Sequence, residues 1–348
     1  MTPNMPNHLP QETIPDASPG RVLVCWTVAL VGLFLFNALA GLMLQHKPVN
    51  YTTALVAHKW QLLKQTQGNL DMLILGDSSG NQAVDPVIFK QQLDIDSLNL
   101  CTTGGTTLID DRMMLEDYLQ KHDPPKAVML VHVYDVWFRQ AKLEALSHIP
   151  VSVAQLSRSA GADELSLQDQ AKLYTYRYLS LYHQNQSLQS IILKPHRYLQ
   201  LQWDWPSSGF NAQTKHTPEA WKADLRYHTA KAQVLKNVSI HQYNLRELQL
   251  INALAKKHQM QVLLVMSPIS SELYKQPIFG DFYRQITDAL AEYAQQHDQV
   301  QLIFEKPLVV GGAHMQSADH VLADAAAFYT TQLAQQIRPV FEQENSQR

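Results

Sequence analysis

The chain has 348 residues, 17% of them charged, and a formal net charge of -3. No basic stripe or acidic block breaks that balance, which argues against a nucleic-acid partner. Two cysteines and no Cys/His metal spacing exclude a disulfide framework and a zinc-finger-type site.

The first 20 residues carry five prolines and no apolar periodicity, the pattern of a flexible tail. Residues 22–44, VLVCWTVALVGLFLFNALAGLML, form one uncharged apolar run interrupted only by Asn37. At 1.5 Å per residue the run reaches about 34 Å, enough for a hydrocarbon core of about 30 Å. A cleavable signal peptide has a shorter apolar region of about 7–15 residues, so residues 21–45 are expected to form a single transmembrane anchor with residues 22–44 in the lipid bilayer. Arg21 precedes the run and Lys47, Lys59 and Lys64 follow it, so flanking charge does not favour a cytoplasmic N-terminus.

Residues 46–348 read as one α/β domain. A helix is expected over 51–67 and a strand over 71–76. A helix after Pro86, a strand over 97–101, a helix over 108–120 and a strand over 127–134 follow. From about 140 to 235 the alternation stops. Tyr, Trp, Gln and His are frequent there, with helical stretches at 168–184 and 218–237, so this region is expected to be a mainly helical insertion. Trp203 and Trp205 lie in a loop within it and could line a sugar groove or simply pack. The alternation resumes with a helix over 245–258, strand 261–266, helix 282–297, strand 300–304 and helix 321–337. Continuous apolar strands separated by amphipathic helices predict a flavodoxin-like, doubly wound parallel sheet.

Two places in this frame carry chemistry. The first strand ends in Gly76-Asp77-Ser78-Ser79-Gly80, a turn that places Ser78 at the C-terminal rim of the sheet, where open α/β sheets build their sites. Asp77 is expected to bond the turn backbone. Near the other end, Asp319-His320 falls between the last strand and the last helix. An early serine and a late histidine supply a nucleophile and a general base for acyl transfer.

A Gly-Asp-Ser on the first strand resembles the SGNH (GDSL-like) hydrolase family. Residues 98–105, LNLCTTGG, are similar to its second block, and the resemblance implies that an amide of Gly104 or Gly105 joins the Ser78 amide in binding the oxyanion. Asp319-His320-Val321-Leu322 resembles the last block, which implies His320 as catalytic base. Two positions depart from the family pattern. Where the third block has Gly-x-Asn-Asp this chain has His132-Val133-Tyr134-Asp135, leaving Tyr134 as the side chain in the oxyanion-donor position. Where the family acid stands three residues before the histidine, this chain has Ser317. The acid is then Asp319 or another carboxylate.

One anchor followed by such a domain is similar to membrane-anchored proteins of cell-envelope polysaccharide O-acetylation and to DltD-type proteins. The expectation is a serine esterase or O-acyltransferase acting on a cell-surface polysaccharide or other acylated envelope polymer. It would sit in the inner (cytoplasmic) membrane with its large domain in the periplasm or outside, with a membrane-bound O-acyltransferase as a candidate partner, and needs no metal or organic cofactor. The competing expectation is a catalytically inactive accessory that binds polymer or the acyltransferase. A lipase using its tether to reach lipid is a third.

Overall fold

The computed structural model describes residues 18–159, 165–234, 238–304 and 306–342. Most of the expected tail at 1–20, and residues 160–164 and 235 of the expected insertion, lie outside them.

Helix α1 (Pro19–His46) is the apolar run; its central 18-residue window buries nothing against the rest of the chain, and it is long and apolar enough to cross a membrane. Asn50 caps α2 (Tyr51–Gln65), accepting from Thr53 N. Strand β1 (Met72–Gly76), helices α3 (Ser78–Ala83) and α4 (Pro86–Leu93), strand β2 (Ser97–Asn99), helix α5 (Leu108–Leu119) and strand β3 (Ala127–His132) complete the first half. Among the described residues the interrupting region forms helices and no strand: α6 (Leu143–Leu146), α7 (Val153–Ser159), α8 (Leu167–Tyr178), α9 (Ser180–His183), α10 (Asn185–Leu193), α11 (Pro195–Gln200) and α12 (Pro218–Val234). Then come α13 (Gln242–His258), β4 (Gln261–Met266), β5 (Ile269–Ser270), α14 (Ser271–Tyr274), α15 (Pro277–Gln295), β6 (Val300–Leu302), β7 (Val309–Val310) and α16 (Ala323–Glu342).

The main sheet runs β2-β1-β3-β4-β6, with every pair parallel. Both of its faces are covered. Leu73, Leu75, Val128, Leu130, Val262 and Leu264 point into one core, shared with α2, α5, α13 and α15. Met72, Ile74, Met129, Val131, Leu263 and Val265 point into the other, under α4 and α16. Burial on both sides is why these strands read as unbroken apolar runs rather than as alternating ones. The order reverses between β1 and β3, which opens a crevice at their C-terminal ends.

The expected helix at 168–184 breaks in two at Leu179, whose backbone (φ -99°, ψ 66°) is not helical. Helix α3, too short to show periodicity, and the separate β5–β7 pair were not expected. Strand β2 stops at Asn99, yet Leu100 N and Thr102 N still donate to Ile74 O and Gly76 O at 2.7 and 2.8 Å, so pairing with β1 extends past the expected end. Trp203 stacks on Trp205 and donates its indole N–H to Pro48 O at 2.9 Å; both rings pack on Tyr51. They pin the insertion to the start of α2, the packing role.

Buried Lys59 of α2 donates to Asn99 O at 2.8 Å and to Gly209 O, and burial pushes its amine down to about 7. Asn99 Nδ2 in turn donates to Gly80 O at 3.0 Å and Val84 O at 2.8 Å, holding both ends of α3. Asn99→Ala leaves Val84 O without this donor and Gly80 O with Val84 N alone, and an unmet buried polar group costs about 1–3 kcal/mol. Thermal unfolding of the detergent-solubilised full chain is expected to show a lower Tm for Asn99→Ala; an unchanged Tm contradicts the role given to Asn99.

Candidate active site

The site grows from the end of β1. Gly76 has φ +146°, and a Cβ there would sit 2.0 Å from Val131 O, so this position admits only glycine. The chain turns at once into α3 with Asp77 as N-cap, its Oδ1 accepting from Ser79 N at 2.8 Å. Asp77 Oδ2 accepts from Val133 N at 2.8 Å, so one carboxylate ties the ends of β1 and β3. Ser78 is the first helical residue, and its N–H has no partner inside the helix.

His320 reaches Ser78 from a loop that doubles back on itself. Met315 and Val321 form an antiparallel bridge, and Gln316 N donates to His320 O at 2.8 Å. This curl turns consecutive side chains toward each other. His320 Nδ1 lies 2.7 Å from Asp319 Oδ1, and its Nε2 lies 2.9 Å from Ser78 Oγ. With the proton on Nδ1, facing the carboxylate, Nε2 is free to accept the serine hydroxyl, the relation a nucleophile and its base require. Ser317, which stands in the usual acid position, donates to Asp319 Oδ1 at 2.8 Å and lies 2.9 Å from His320 Nδ1. The carboxylate that meets the His320 ring is therefore that of the adjacent Asp319, with Ser317 bracing the contact.

Electrostatics follow the geometry. Burial would raise the Asp319 carboxyl, but the His320 charge and hydrogen bond, with His228 and Ser317, hold it well below the ordinary carboxylate range. Burial would lower His320; the Asp319 charge and hydrogen bond outweigh it and raise the ring to about 9. Under the turn, burial would also lower His132, but Asp111 at 2.7 Å from Nε2 and Asp77 at 3.6 Å from Nδ1 raise it to about 9.

Ser78, Asp319, His320, Gly104 and Gly105 line one cavity of about 640 Å³. Tyr134 is a correction to the sequence expectation. Its side chain is buried, packs edge-on against Phe279 and Phe282, and bonds His228 Nδ1 instead of facing the cavity. The hydroxyl at the far end of an aromatic ring overshoots the place a short amide would occupy. Charged residues unmarked by any motif are the larger omission: Arg139, Lys142 and Asp224 line the cavity, as does Asp135 of the third block. A Cβ on Gly104 would meet Arg139 Nη2 at 2.0 Å, so the guanidinium lies directly over that glycine. Asp224 Oδ2 accepts from Ala318 N at 2.7 Å, which lets α12 hold the catalytic loop.

Among the described residues, two donor sets bring ligand atoms within 4.8 Å of one another and could hold a metal ion. Glu144, His148 and His183 form one, at the cavity rim, where burial pushes His148 down to about 4 and keeps it neutral. Asp224, His228 and Asp319 form the other, but Asp319 and His228 already serve His320 and Tyr134.

No protein-family model matches this chain, and no curated protein matches it.

A base must be neutral to take a proton, so the rate through His320 falls as pH drops below about 9. Asp319→Asn removes the charge that raises the ring. Its pH–rate limb is expected to move to lower pH, toward the unperturbed value of about 6.5, while kcat falls by roughly 10²–10⁴. Ser317→Ala leaves the carboxylate in place, so it keeps the alkaline limb and loses far less rate. Ester hydrolysis measured from pH 5 to 10 on the three proteins checks this; an unmoved limb in Asp319→Asn shows that another group sets the profile.

Proposed function

We propose that this chain is a membrane-anchored serine O-acyltransferase or esterase of the SGNH (GDSL-like) type, acting on cell-envelope polysaccharide. The observation that carries the proposal is the Ser78–His320–Asp319 relay, joined by contacts of 2.9 and 2.7 Å at the mouth of a cavity. A protein that only binds polymer has no need of this alignment, which favours the enzyme over the inactive accessory. The strand order and the position of Ser78 after β1 also support the family reading.

Ser78 Oγ attacks the carbonyl carbon of an acyl ester while His320 Nε2 takes the hydroxyl proton. Negative charge gathers on the former carbonyl oxygen, where the amides of Ser78 and of Gly104 or Gly105 act as donors. Collapse expels the donor alcohol, which receives the proton from His320 and leaves the acyl group on Ser78. An acceptor hydroxyl then surrenders its proton to His320 and attacks the acyl-serine, and collapse expels Ser78 Oγ, which takes that proton back from His320; a sugar hydroxyl gives transfer and water gives hydrolysis. Asp319 holds the ring and offsets its charge at both stages. A cavity edged by Arg139, Lys142, Asp135 and Asp224 suits a polyhydroxylated acceptor better than an aliphatic chain, which favours a polysaccharide over lipid.

Helix α1 would cross the inner membrane and hold the domain on its periplasmic side, where the polymer lies. The cavity wall includes Asn50, Tyr51 and Thr52, a few residues past the end of α1 at His46. That proximity fits a donor handed over at the membrane, as by a membrane-bound O-acyltransferase partner.

The full chain in detergent is expected to hydrolyse p-nitrophenyl acetate with a burst of p-nitrophenol. Ser78→Ala is expected to remove the burst and lower kcat by about 10³-fold or more. Wild type and Ser78→Ala showing the same near-zero rate would end the catalytic reading.

A further inference from the structure

We infer that the helical segment α8–α11 is a second membrane contact, lying in the headgroup and upper acyl region of the bilayer that α1 crosses. The inference rests on the anchor reading proposed for α1. It starts from Asn37, the one polar interruption of the apolar run. Asn37 Nδ2 donates to Tyr178 O at 2.6 Å, and its Oδ1 accepts from Leu181 N at 3.1 Å. These groups flank the break between α8 and α9. Backbone polar groups freed in hydrocarbon are costly unless another group meets them, and the Asn37 amide meets both. One turn further along α1, a Cβ on Gly41 would lie 2.8 Å from Ser180 Oγ, the close approach that small residues permit between helices in lipid.

Depth follows from position. Asn37 is seven residues inside Leu44, the last residue of the apolar run, which is about 10 Å along the helix axis. The α8–α9 junction is therefore held below the level where that run ends. Nearer the surface, Tyr198 Oη lies 3.5 Å from Met43 O, and Lys47 Nζ donates to Leu199 O at 2.9 Å.

The outward face matches this depth. Outside α1, eight of the sixteen exposed large apolar side chains among the described residues fall within residues 167–199. Ile192, Leu193 and Leu199 are 73–75% exposed. A cluster of this kind marks an interaction surface, whereas single exposed apolar residues do not. Continuity with the exposed apolar surface of α1 selects lipid as the occupant, and charge agrees. Arg177 is taken up by the carbonyls of Ser147, Ile149 and Val151, but Lys172, Lys194 and Arg197 still outnumber Asp169 over residues 167–200, an excess suited to anionic headgroups.

The test places a nitrobenzoxadiazole fluorophore on cysteines introduced one at a time into the full-length Cys25→Ala protein, whose remaining Cys101 is buried, in phosphatidylethanolamine/phosphatidylglycerol vesicles. Leu193→Cys probes the segment, Leu39→Cys the span, and Phe328→Cys the exposed surface of α16. Lipids carrying a nitroxide near the headgroup are expected to quench most of the emission at Leu193, which is also shifted to the blue of that at Phe328, while Phe328 is unquenched. Nitroxide placed deep in the acyl chain is expected to quench Leu39. Quenching at Leu39 with none at Leu193 overturns the inference and leaves the anchor standing. Quenching at neither position overturns both.

Discussion

The site depends on one buried carboxylate. Asp77 takes the N–H groups of Ser79 and Val133, so the turn carrying the nucleophile and the end of the neighbouring strand share a single anchor. The sheet's order reverses between these same strands, β1 and β3, so nothing in the sheet itself fills the gap that opens above them. Glycine at 76 is the condition for this arrangement, since any side chain would collide with the β3 backbone. A charge held this deep needs compensation. His132 supplies it from β3, raised to about 9 between Asp77 and Asp111. A buried imidazolium flanked by two carboxylates is costly to assemble and costlier to break, because removing one member strands the others. The rigidity of the turn under Ser78 comes from that interdependence.

Much of the fold was legible because its strands are buried on both faces. Runs such as 72–76, 127–132 and 261–266 could be nothing but strands once Gly, Pro and amphipathic helices flanked them. The elements that escaped are those without a period. Helix α3 has six residues, and the β5–β7 pair has two residues per strand. The break at Leu179 escaped because the residues packed against it, Asn37 and Gly41 of α1, are far away in sequence.

The site divided along similar lines. Ser78 and His320 were legible from the turn and from their places relative to the first and last strands. Asp319 looked poorly placed for a triad acid, because adjacent side chains on an extended backbone point apart. The bridge between Met315 and Val321 curls the segment enough to defeat that rule. Tyr134 failed as a donor for a reason no local pattern carries: the aromatic cluster of Phe279 and Phe282 comes from α15, and its hydroxyl partner His228 from α12. Asn99 and Lys59 were invisible as a pair because one lies on β2 and the other on the helix after the anchor.

The insertion links the two ends of the molecule's task. Its last helix, α12, presents Asp224 to the backbone of the catalytic loop and sets His228 3.8 Å from Asp319. A hydrogen bond to a charged group is worth about 1.5–3 kcal/mol, so the Asp224 contact alone can decide whether the loop stays curled. Earlier helices of the same insertion grip α1 through Asn37, Gly41 and Met43. His183 of α9 and Glu144 and His148 at the cavity rim bring their ligand atoms within 4.8 Å of one another, so the gripping helices and the cavity wall are in direct contact. A shift of the insertion against α1 must therefore reach the residues around Ser78. The insertion is thus better understood as the part that fixes the Ser78 cavity relative to the apolar helix than as an appendage to a finished α/β domain.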